Sequence, residues 1–207
     1  MFLLLLYASR ATVLLEGREG VPKNFERAFA LASFGAEFGC PHCKGVLARC
    51  FLAGYGCQLD LALAERLAQE SADVGSRYGL YVLGYLAYEK GRVVAAKTYW
   101  QKAADLGLAV AQFNLASLLV RVRQSLRPLL QKQKNEEDWL ELCRLIQQLD
   151  EESFLLYLEA SKTGYPSAWQ ELGVMFHYGI AVYTDMSLAS QCFAKARKAG
   201  IEYVRLC

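Results

Sequence analysis

The sequence predicts an all-α protein: a right-handed α-solenoid of about five antiparallel helix pairs with one helical insertion. Three observations carry this. A glycine closing an alanine-rich stretch recurs at Gly39, Gly75, Gly107, Gly164 and Gly200, at intervals of 36, 32, 57 and 36 residues. Small and large apolar residues alternate at helical spacing after each of these glycines. A glycine-bearing turn and an N-capping residue then follow in three of the units. The chain reads as one domain over 1–207, with repeats at about 3–38, 39–74, 75–106, 107–163 and 164–199, and a further helix starting at 200–207. The one long interval places an insertion at about 121–150.

Each element has a local reason. Four residues after the marker glycine stands Cys43, Gly79, Ala111 or Ala168, and eight after it Leu47, Leu83, Leu115 or Leu172. The next residue is again small: Ala48, Gly84, Ala116 or Gly173. This describes a first helix whose backbone approaches a neighbour closely. Turns follow at Gly17-Arg18-Glu19-Gly20, Gly54-Tyr55-Gly56 and Gly179-Ile180-Ala181. Asn24, Asp60 and Asp185 are then placed to cap the second helix. Ala28, Ala64 and Ala189 stand four residues later, at a second close contact. The second helices end in strings such as Lys102-Ala103-Ala104-Asp105-Leu106-Gly107 and Lys195-Ala196-Arg197-Lys198-Ala199-Gly200.

Two strings carry a resemblance: Tyr99-Trp100-Gln101-Lys102-Ala103-Ala104-Asp105-Leu106-Gly107 and Ala168-Trp169-Gln170-Glu171-Leu172-Gly173. With the turns and capping residues, they make the chain resemble the SEL-like repeat family, relatives of tetratricopeptide repeats, over about residues 3–120 and 150–207. The resemblance implies a superhelix that assembles protein complexes. The unit between Gly75 and Gly107 departs from it, since Glu89-Lys90-Gly91-Arg92 gives a short tetratricopeptide-like turn. Some bacterial members staple each unit with a disulfide, but the matching Ala104 and Ala111 are alanines here.

Composition narrows the function. The 23 basic and 21 acidic residues nearly balance, which disfavours nucleic acid as a partner. Seven cysteines without a regular framework suggest free thiols in a reducing compartment, intracellular and cytoplasmic, with the endoplasmic reticulum as the alternative. Met1–Ala8 resembles a signal-peptide core, but no positive charge precedes it and Arg10 interrupts it. No membrane span is expected.

Catalytic material is thin, and neither a catalytic residue, a cofactor nor a metal is expected. His42 and His177 are the only histidines, both inside repeat helices, and no phosphate loop or nucleophile elbow occurs. Cys40-Pro41-His42-Cys43 matches the active string of thioredoxin-fold disulfide oxidases, and Cys40 would open a helix. No strand-helix alternation surrounds it, and the repeat explains Pro41 and Cys43 as packing residues. Cys40, His42, Cys43, Cys50 and Cys57 lie close in sequence, yet no second Cys-x-x-Cys completes a zinc spacing.

Non-catalytic scaffolding is therefore the leading reading, with a protein or peptide on the concave face. A thiol-dependent enzyme or sensor at Cys40 and Cys43 is one rival. A structural subunit of a larger assembly, joined through the uncapped apolar ends, is another. The expected partner-binding residues are Tyr78, Tyr81 and Tyr85, with Arg49, Asn114 and Ser117 at equivalent positions. The insertion begins with five basic residues and no acid over 121–134, then opens Glu136-Glu137-Asp138 and an amphipathic Trp139–Leu149 helix. It reads as a protruding hairpin, with docking to an acidic protein surface as its functional version.

Overall fold

The computed structural model describes residues 2–17 and 20–201; Arg18 and Glu19 of the first turn, and 202–207 of the expected last helix, lie outside them. Among the described residues all regular structure is helical, ten helices in five pairs. They divide into two compact units, Met1–Leu108 and Ala109–Cys207.

The first unit holds α1 (Phe2–Glu16), α2 (Phe25–Glu37), α3 (Pro41–Ala53), α4 (Leu61–Ala72), α5 (Arg77–Glu89) and α6 (Val93–Asp105). Consecutive helices pack on one another, and α1, α3 and α5 also pack side by side as one layer. The capping residues act as their chemistry dictates. Asn24, Asp60 and Asp185 accept bonds from the amides of Arg27, Leu63 and Leu188 at 2.8–2.9 Å. The amides of the same three residues reach back to Leu14, Phe51 and Phe176 at 2.8–3.0 Å, tying each second helix to its first.

The marker glycines all take positive φ, and after each one the next amide bonds five residues back, as Cys40 does to Gly35. That is a Schellman closure, which needs a left-handed residue. The small residues sit where helices nearly touch. A Cβ on Gly79 would lie 2.7 Å from the Ala72 nitrogen and 2.8 Å from the Ala68 oxygen. Gly84 and Gly173 are filled from across the pair by Trp100 and Phe193. In the last turn Ala181 holds φ of 63° where the earlier turn has Gly56, a strain of about 1 kcal/mol.

The second unit holds α7 (Ala109–Leu130), α8 (Glu136–Lys162), α9 (Pro166–Tyr178) and α10 (Met186–Lys198). Ala116, Tyr157, Leu172, Met175 and Cys192 form its core, flanked by Phe113, Phe154 and Phe176. The Trp139–Leu149 helix runs on without a break into the repeat helix that follows it, to Lys162. The insertion lengthens both members of one pair, to 22 and 27 residues, against 12 to 15 in the other helices. Nothing between 136 and 162 breaks the helical phase, so insertion and repeat run as one rod. Asn135 caps the outer end, accepting the Glu137 amide at 2.9 Å.

Candidate functional site

In the first unit the layer of first helices forms an open trough of about 340 Å³. Helix α1 contributes Leu5, Ser9 and Val13, α3 contributes His42 and Val46, and α5 contributes Arg77 and Tyr78. The helical repeat explains the set: Leu5, Ser9 and Val13 are four residues apart, as are His42 and Val46. Apolar Leu5, Val13 and Val46 alternate with polar Ser9, Thr12, His42, Ser76, Arg77 and Tyr78, and none of the lining residues is acidic.

Beside this cavity lies a buried polar cluster. The Arg49 guanidinium sits 3.4 Å from the Glu16 carboxylate and 5.4 and 5.6 Å from the ring centres of Tyr78 and Tyr81. The Tyr78 hydroxyl donates to the same Glu16 oxygen. Burial first, and the Glu16 carboxylate second, push the Tyr78 phenol well above its ordinary value. Burial works against the charge on Arg49, but the facing tyrosines and Glu16 outweigh it and hold the cation firmly. Desolvated charge and ring faces reinforce one another here.

The six expected partner-binding residues fall in both units. Tyr78 and Tyr81 are buried at 3% and 8% exposure, so they form a wall and offer little open area. Tyr85 is half-buried, and burial followed by Glu89 raises its phenol. Arg49 is the cation that these rings hold. Asn114 and Ser117 lie on α7 of the second unit, where the Ser117 hydroxyl is 3.1 Å from that of Tyr157. Sequence reasoning missed Glu16, Leu5, Ser9 and Arg77. The four-residue phase along α1 was the available signal for Leu5 and Ser9.

The cysteines are built into the interior. Cys40 caps α3 ahead of Pro41, and both it and Cys43 donate to the Leu4 carbonyl at 3.6 Å. A Cβ on Gly35 would collide with the Cys43 sulfur, so α2 closes over it. Burial, then the neighbouring Cys40 thiol, push Cys43 up to about 12; burial does the same to Cys50. A nucleophilic cysteine needs the opposite shift. Among the described residues, no three His, Cys, Asp or Glu side chains converge as metal ligands, and six cysteines are free thiols. His42 is exposed, and His177 stacks edge-on against Tyr178. Among the described residues no helix is long and apolar enough to cross a membrane.

Solved structures share this arrangement. A Sel1 repeat protein from Oxalobacter formigenes matches with a TM-score of 0.60 at 18% identity, over 96% of this chain and 74% of that one. The protective antigen c5321 of uropathogenic Escherichia coli, which displays an SLR fold, matches at 0.57 and 20% identity. That match spans 96% of this chain but only 38% of the antigen. No protein-family model and no curated protein matches the chain. The likeness establishes the SEL-like repeat fold.

Proposed function

We propose that this chain, built on the SEL-like repeat fold, is a non-catalytic scaffold holding a partner protein or peptide against the α1, α3 and α5 face of its first unit. The observation that carries this reading is the cavity: a trough of mixed apolar and polar lining that includes His42, Arg77 and Tyr78. Such a surface suits a side chain or a short extended segment, with polar groups fixing its direction. Tyr81 and Arg49 serve the site by stiffening its wall. Burial and the raised Cys43 thiol support a scaffold over a thiol enzyme. The free thiols suit a reducing compartment.

Because Tyr78 and Tyr81 are buried, truncating them would test stability and not binding. Ser9 and His42 are exposed lining residues. Affinity capture with Ser9→Glu and His42→Asp should lower partner recovery by about tenfold or more, with helical content and melting unchanged. Equal recovery from the variants and the unaltered chain removes the trough as the binding site.

A further inference from the structure

The long pair of the second unit leaves its outer half without a core. From residue 124 to 148 no side chain is buried, although the segment is rich in leucine. Leu129, Trp139, Leu140 and Leu145 are exposed. Apolar side chains in this number on two unsupported helices mark a surface that another element covers. Between the arms lies an open depression of about 440 Å³, walled by Leu129, Leu142 and Leu145. Lys132 and Gln133 line one side of it, and Asp138 and Glu141 the other.

Charge selects the occupant. The first arm, 121–134, carries five basic residues and no acid. The second arm, 135–152, carries seven acidic residues and one basic residue, Arg144. At the base of the hairpin Arg123 pairs with Asp150 across the arms, 2.8 Å apart. A uniformly acidic partner would suit one arm and be repelled by the other, and a uniformly basic one the reverse. A segment matching both must present acid beside the lysines, base beside the carboxylates, and leucines between. The hairpin itself has that pattern.

We propose that the outer hairpin, about residues 124–148, is a self-association surface that pairs with the same hairpin of a second copy of this chain. The basic arm of each copy lies against the acidic arm of the other. A two-fold contact of this kind is self-complementary by construction. Four helices can enclose a leucine core that two cannot, while the crossed charges fix the pairing.

Sedimentation equilibrium on the full chain tests this over about a hundredfold range of concentration. The expected result is a monomer–dimer equilibrium, abolished by Leu145→Glu with helical content unchanged. Lys132→Glu and Glu141→Lys should each weaken the dimer by about tenfold. An equimolar mixture of the two should recover it as a heterodimer, because both crossed contacts are then opposite in sign. A monomer at every concentration overturns the proposal, as does a dimer indifferent to Leu145→Glu. Failure of the mixture to recover association overturns the crossed-arm pairing. None of these outcomes touches the trough of the first unit, whose test reads partner recovery.

Discussion

The pair formed by α3 and α4 and the pair formed by α7 and α8 start from the same repeat and end differently. In the first, helices of 13 and 12 residues bury Cys43, Val46, Ala48, Cys50, Ala64 and Ala68, and neighbouring pairs cover both sides. In the second, helices of 22 and 27 residues keep a buried base of Leu115, Leu119, Leu149 and Tyr157 and then run out past their neighbours. The repeat thus sets a helix length at which every turn has something to pack on. Lengthening a pair beyond it adds helix without adding core. In a repeat array, stability belongs to contacts with adjacent units, so the outer hairpin is free to serve as a surface.

The largest expected effect separates the two regions by close packing. Gly79→Val places side-chain atoms against the backbone of α4, which has no flexible end to move aside. It should destabilise the first unit by about 3 kcal/mol, read from urea unfolding. A bulky substitution at Gln133 on the outer hairpin should leave the same transition in place. A Gly79→Val variant that unfolds like the unaltered chain would remove the close-packing account.

The helix caps give a finer contrast. Asp60→Ala removes the acceptor for the Leu63 amide in a pair packed on both sides, and should lower global stability by about 1 kcal/mol. Asn135→Ala removes the equivalent bond at the hairpin tip. There the loss should appear as faster hydrogen exchange over the first turn of α8, with little change in the global transition. Equal global losses would mean that the tip folds as one with the base.

The smallest effect concerns pH. Burial raises the Glu171 carboxyl above its ordinary 4.5, so the folded chain binds this proton more tightly than the unfolded one. Above the raised value the buried charge opposes folding, and Glu171→Gln should stabilise by a fraction of a kcal/mol at pH 7. The gain should fade as pH drops toward 4.5, where the native carboxyl is neutral too. A gain that grows on acidification would reverse the sign and refute the burial account.

Much of the fold could be read along the chain because its signals are local. The capping role of Asp60 depends on an amide three residues away, and the Gly75 closure on a carbonyl five residues before its neighbour. The need for a small residue at Gly79 also showed, since the spacing that brings helices together recurs. The site was less legible. Tyr78, Tyr81 and Tyr85 share a face in the sequence, but whether that face meets solvent depends on Glu16, 62 residues from Tyr78. Likewise Trp139–Leu149 reads as an amphipathic helix, while its continuity with the repeat helix depends on a phase shared over 27 residues.

By itself, the sequence determined the helix pairs, their caps and their turns, because these rest on contacts within a few residues and on the steric demands of positive φ. Only the tertiary structure decided which faces stayed open. It buried Tyr78 and Tyr81 with Arg49, opened the trough between Ser9, His42 and Arg77, and left the outer hairpin uncovered. Exposure is a property of neighbours, and those neighbours stand far away along the chain.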